Sequence, residues 1–221
     1  MGFRVSNTDS FIDEVNEEVR RDKLYGYLRR YGWIGVVAVL GVVGGAAWNE
    51  YSAAQARAAA EASGDALLTA LNETDPAARA AAVAAAEVTG KAETLAALLE
   101  SATKQEAGDA AGAVAALASL ATTAEAPELY RDLAAFKAAV IEADAQARRA
   151  AFEAMAIPGR PFNMLAQEQL ALMSLAEGKQ DEAIAQLRRI ADDAETSAAL
   201  RDRVETLMVA LGVSMSETGS E

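Results

Sequence analysis

A chain of 221 residues, 52% apolar and 24% charged, is long enough for one or two packed domains, and it carries 33 acids, 20 bases, no His and no Cys. The two zeros remove disulfide frameworks, thiolate nucleophiles, imidazole bases and every His- or Cys-ligated metal site. About a quarter of the chain is Ala, which keeps its entropy in helices, and Pro falls only at 76, 127, 158 and 161, so the expected class is all-α.

Residues 1–30 form the first segment. Ser10 with Asp13 three residues on is a weak capping box, and Ile12, Val15 and Val19 then make a narrow apolar stripe. Two readings stand: an amphipathic helix on headgroups or a partner, or a solvated helical lead-in to the apolar run beyond it.

That apolar run, at 31–49, is the clearest signal in the chain. Tyr31 to Trp48 (YGWIGVVAVLGVVGGAAW) has eighteen residues without a charge. At the helical rise that is about 27 Å, close to the roughly 30 Å of hydrocarbon core. Tyr31 and Trp33 mark one end and Trp48 and Tyr51 the other, the placement of interfacial aromatics. Gly41, Gly44 and Gly45 are spaced for close approach of a second helix, or else are glycines that lipid tolerates. An acid-rich leader of thirty residues does not suit a cleaved signal peptide, so an uncleaved anchor is expected. Arg20, Arg21, Lys23, Arg29 and Arg30 precede the span, opposed there only by Asp22. The positive-inside rule therefore places the N-terminus in the cytoplasm and residues 50–221 across the membrane. Residues 1–49 are neutral, with six acids and six bases, whereas 50–221 hold 27 acids and 14 bases. Such an acidic region is repelled by nucleic acid, and no nucleic-acid partner is expected.

Beyond the span, turn signals divide the chain into helices expected at 50–71, 76–89, 91–106, 109–122, 128–143, 145–156, 162–177, 180–193 and 196–212, with a flexible tail from about 213 to 221. Such lengths and short connections read as antiparallel pairs. Gly108 and Gly178 lie 70 residues apart with Asp144 midway. Ala113, Leu117 and Leu120 follow the first glycine at the same offsets as Ala183, Leu187 and Ile190 follow the second. Helix-breaking glycine, small residue, then large apolar residue is the second-helix pattern of a tetratricopeptide repeat. The first helices fit less well: Gln167, Ala171 and Ser174 stand where Trp, Gly and Tyr are preferred. A degenerate array is expected, with 196–212 capping its last face and first helices lining a concave surface. Glu168, Leu172 and Leu175 are the candidates there, the two leucines having core packing as their other reading.

No phosphate loop, dinucleotide fingerprint or nucleophile elbow occurs. Asp181-Glu182 opens a helix and Arg188-Arg189 nears its end, where the helix dipole accounts for both. No catalytic, cofactor or metal residues are expected.

The segment Phe11-Ile-Asp-Glu-Val-Asn-Glu-Glu-Val-Arg-Arg-Asp-Lys23, then Arg29-Arg-Tyr-Gly-Trp33, the single span and a repeat domain containing Glu177-Gly-Lys-Gln-Asp-Glu-Ala-Ile184 together resemble the YfgM-like family, the ancillary subunit of the SecYEG translocon. The resemblance implies a bacterial inner-membrane protein with a periplasmic repeat domain. It implies association with the translocon and with periplasmic chaperones or nascent chains, and no catalytic residues. A structural accessory of a respiratory or envelope complex is the alternative.

Overall fold

The computed structural model describes the backbone of residues 8–213 and the side chains of residues 25–213. Within them the regular structure is all helix: α1 (Thr8–Leu71), α2 (Pro76–Ala85), α3 (Ala92–Glu106), α4 (Ala110–Thr122), α5 (Glu128–Ile141), α6 (Ala145–Met155), α7 (Asn163–Ala176), α8 (Gln180–Asp192) and α9 (Ala198–Ala210). The side chains of Ile12, Val15, Val19, Arg20, Arg21 and Lys23, and the tail from 214, lie outside the described residues. The chain divides into two units, Met1–Ala58 and Ala59–Glu221.

The first unit consists of α1 alone over its described side chains. No proline interrupts this stretch, and the helix passes without a break through the apolar run and beyond it. Tyr27 stacks on Tyr31 at 6.2 Å, and Trp48 lies 6.3 Å from Tyr51, so the aromatics at each end of the run are paired along the helix.

The second unit repeats one step. Its first helices end at Leu71, Glu106, Ile141, Ala176 and Ala210, intervals of 35, 35, 35 and 34 residues. The cap residues of the helices paired with them, Asp75, Asp109, Asp144 and Lys179, are 34, 35 and 35 apart. The local reason is visible at each. The Asp75, Asp109 and Asp144 carboxylates accept from the N–H of Ala78, Gly112 and Ala147 at 2.8, 2.8 and 2.7 Å, satisfying a donor that the first turn leaves free. Lys179 has no such bond, and its helix instead carries Asp181 and Glu182 in the first turn. Gly108 and Gly178 adopt φ of 80° and 78°, a conformation costly for any residue with a Cβ. After each, the next amide closes back on the helix, Asp109 N–H to Lys104 O and Lys179 N–H to Ser174 O, the wide loop of a Schellman motif.

Packing obeys the same step. Among the described residues most buried apolar side chains fall into four clusters, each packed by three consecutive helices. Leu67, Val83 and Ala96 join α1, α2 and α3, and Leu117, Leu120 and Ala134 join α4 to α5 with Leu98 of α3 against them. Ala139, Phe152 and Ala166 join α5, α6 and α7, and Ala171, Leu187 and Val204 join α7, α8 and α9. First helices therefore lie beside one another, with a second helix packed across each neighbouring pair. Ala113, Leu117 and Leu120, and Ala183, Leu187 and Ile190, are all buried, as the spacing predicts.

One difference from the sequence expectation has a physical cause. Helix α2 stops at Ala85 rather than 89, because Val88 packs into the first cluster and Thr89 N–H donates to Oγ of buried Ser63 on α1. At the last step, Asp202 is exposed and Glu205 half-buried on α9. Glu205 occupies the position that Ser101 and Ala171 hold, buried, on α3 and α7.

Candidate membrane span and partner-binding face

The span is one surface of one helix. Residues Tyr25–Leu71 of α1 contain a run long and apolar enough to cross a membrane, and none of that run is buried. Trp33, Val36, Val39, Leu40, Val42 and Trp48 are all exposed. That much apolar surface without a protein partner is the arrangement that lipid would satisfy. Arg30 lies over the Tyr31 ring at 5.9 Å, and Arg29 is exposed beside it. At Gly41, Gly44 and Gly45 nothing lies within 4 Å of where a Cβ would stand, so these glycines leave open surface.

The residues expected to line a binding face are placed differently from one another. Leu172 and Leu175 are half-buried on α7 and belong to none of the four clusters. Glu168 is not an open acid: it is 4% exposed, and its two oxygens accept from Nε and Nη2 of Arg203 at 2.6 Å each. This fork-to-fork pair ties α7 to α9, and the charge-assisted bonds hold the guanidinium pKa above its ordinary value despite partial burial. A second carboxylate, Asp132 of α5, takes Arg160 of the α6–α7 connection at 2.6 Å. On the outer edge Glu177 sits between Lys179 and Arg149. The hydrogen bonds from Lys179, first, and Arg149 hold its carboxyl below the usual carboxylate range, and Lys179 is raised in turn. Phe136 contacts Phe152 edge-on at 5.6 Å and stacks on Phe162 at 5.5 Å, locking the longest connection of the unit.

Sequence reasoning missed Arg203, which stands 35 residues after Glu168, one residue past the equivalent position on α9. It also missed Leu95 and Tyr130, exposed apolar side chains that share a helix position with Leu165 at intervals of 35. Counting the period backwards from α7 finds them. No three His, Cys, Asp or Glu side chains come together as a metal site among the described residues.

Among the described residues these features define an all-helical protein with one N-terminal helix able to span a membrane. No family model, no curated protein and no solved structure matches the chain.

Proposed function

We propose that the protein is a non-enzymatic, membrane-anchored binding module. Helix α1 anchors it in a bacterial inner membrane with the N-terminus in the cytoplasm, and residues 50–221 form a periplasmic tetratricopeptide-repeat-like array. The observation that carries the reading is the repetition of one helix pair every 34 to 35 residues, downstream of an apolar run that no other helix covers. Stacked pairs present an extended surface rather than an enclosed reaction site, which suits the holding of polypeptides. With the resemblance to the YfgM-like family, the partner complex is the Sec translocon, and the array serves chaperones or chains emerging from it.

Purification of the full chain from membranes in mild detergent tests this, with translocon subunits expected among the co-purifying proteins. Recovery of a respiratory or envelope complex without them would assign the protein to that complex instead. Replacing Gly41 and Gly45 by Leu in the same experiment asks which segment docks. Lost recovery places the contact on the glycine face of the span; unchanged recovery places it elsewhere.

A further inference from the structure

Charge is sorted along α1. Residues 20–30 hold five bases, Arg20, Arg21, Lys23, Arg29 and Arg30, against the single acid Asp22, which even when paired leaves four of them. The acids Asp9, Asp13, Glu14, Glu17 and Glu18 come earlier, eleven or more residues before Arg29. At the helical rise that is about 16 Å, beyond the screening length of physiological salt. No charge occurs between Arg30 and Glu50, and at the far end Glu50 is met by Arg57 at 3.5 Å. One end of the apolar run is therefore cationic and the other balanced.

Arg29 and Arg30 stand where the cationic end meets the run. On a helix their neighbours are the residues three and four away: Tyr25, Gly26, Tyr27, Gly32, Trp33 and Ile34, none of them an acid. Among the described residues no other element covers this stretch, and residues 25–31 are exposed. Helical side chains lean toward the preceding turn, and there Gly26 adjoins both arginines, three before one and four before the other. Nothing lies within 4 Å of where a Gly26 Cβ would stand. Both guanidiniums thus border an open notch, with Tyr25 and Tyr27 on either side of it in sequence. The next aromatic orients rather than neutralises: Arg30 sits over the Tyr31 ring at 5.9 Å, and Tyr31 is stacked on Tyr27. A guanidinium held by its face keeps its in-plane N–H donors for an oxygen acceptor.

We infer that the notch at Gly26, between Arg29 and Arg30, binds the phosphate of an acidic glycerophospholipid, one whose headgroup carries no ammonium. Gly26 lies about 7 Å before the uncharged run, the depth of the headgroup layer, and forked donors suit phosphate oxygens. A zwitterionic headgroup offers the same phosphate, but its own cation is repelled by the remaining bases. Each base near an anionic surface favours it about fivefold. The inference rests on the reading of α1 as a membrane span, and not on the partner complex or the orientation proposed above.

The two tryptophans supply the test, since Trp33 lies within four residues of both arginines and Trp48 marks the other end. Full-length Trp48→Phe and Trp33→Phe, each keeping one reporter, are placed in phosphatidylcholine nanodiscs with a minor share of phosphatidylglycerol. Brominated acyl chains, which quench tryptophan, are carried by the phosphatidylglycerol in one preparation and by an equal amount of phosphatidylcholine in the other. Trp33 is expected to be quenched at least about twofold more by the brominated phosphatidylglycerol, and Trp48 equally by both. Arg29→Gln with Arg30→Gln removes the excess at Trp33. Gly26→Leu, which keeps both charges and fills the notch, lowers it by about half or more. Equal quenching of Trp33 by the two lipids overturns the inference, as does an excess that survives the glutamine pair. An excess untouched by Gly26→Leu overturns it too, by showing diffuse attraction without a site. So does one that inorganic phosphate abolishes at matched ionic strength, which would make the notch a general anion site. If neither lipid quenches either tryptophan, the span reading itself falls; quenching by both without preference removes this inference alone.

Discussion

Gly178 and Gly112 both flank a helix boundary, yet alanine is expected to act in opposite directions at them. Gly178 closes α7 at a φ of 78°, where a Cβ is strained, so Gly178→Ala should cost about 1–2 kcal/mol. Gly112 is inside α4, under the Asp109 cap, and a Cβ there meets that carboxylate. Ala78 and Ala147 already occupy the same place under Asp75 and Asp144, so a small rotation of the cap accommodates the methyl. Gly112→Ala should therefore stabilise, by up to about 1 kcal/mol from helix propensity. Urea unfolding followed by circular dichroism measures both. Glu177 sets a pH dependence of definite sign. Its folded pKa is lowered, first by the hydrogen bond from Lys179 and then by that from Arg149. Its stabilisation is therefore complete above the ordinary carboxylate pKa and is lost as pH falls through the lower, folded value. Glu177→Gln should flatten the acid limb of a stability-against-pH curve, and an unchanged limb would show that other carboxylates govern it.

At the scale of elements, the boundaries of α3 to α9 were legible to within two residues, because caps and turns are local chemistry. Asp109, Gly108, Asp144 and Gly178 announce their own bonds. The end of α2 was not legible: the irregular stretch at 86–89 depends on Ser63, twenty-six residues away from Thr89, and on Val88 reaching a core built by three helices. The candidate site was legible in the same proportion. Periodicity put Glu168, Leu172 and Leu175 together on a first-helix face, but it did not reveal that Glu168 is buried against Arg203, since nothing local announces that arginine. The pair ties α9 to α7 beside the apolar cluster that Leu200, Val204 and Met208 complete. Arg203→Ala should cost about 1–3 kcal/mol by leaving Glu168 buried without its donor, less than for a fully buried pair because the guanidinium is half exposed. A double-mutant cycle with Glu168→Gln checks it. The two losses should fall well short of additive, and additivity would mean the two side chains act independently.

At the scale of the molecule, two surfaces with opposite demands share one chain. Residues 31–48 expose an uncharged helix, whereas the whole net charge of −13 belongs to residues 50–221. The first suits hydrocarbon and the second water, and under the orientation proposed above the basic residues before the span stay on the cytoplasmic side. Protease added to spheroplasts should therefore digest residues 50–221 while sparing residues 1–30, read with an epitope at each end. Protection of the C-terminal epitope would reverse the orientation. Composition alone hid this division, because 52% apolar sums a Val- and Gly-rich helix with thin Ala-rich ones.

A structure made by repeating one step carries no internal instruction to stop. Each cluster is completed by the next first helix, and α9, the last of these, offers the same kind of edge to any helix that meets it. There Asp202 and Glu205 replace side chains that earlier helices use for packing. A foreign helix settling on that edge would strip water from two carboxylates with no cation in the position to receive them. The consequence is colloidal rather than architectural: two carboxylates at that edge oppose end-to-end stacking of one copy on another. Among the described residues, Asp202 and Glu205 thus disfavour further stacking on the edge of α9.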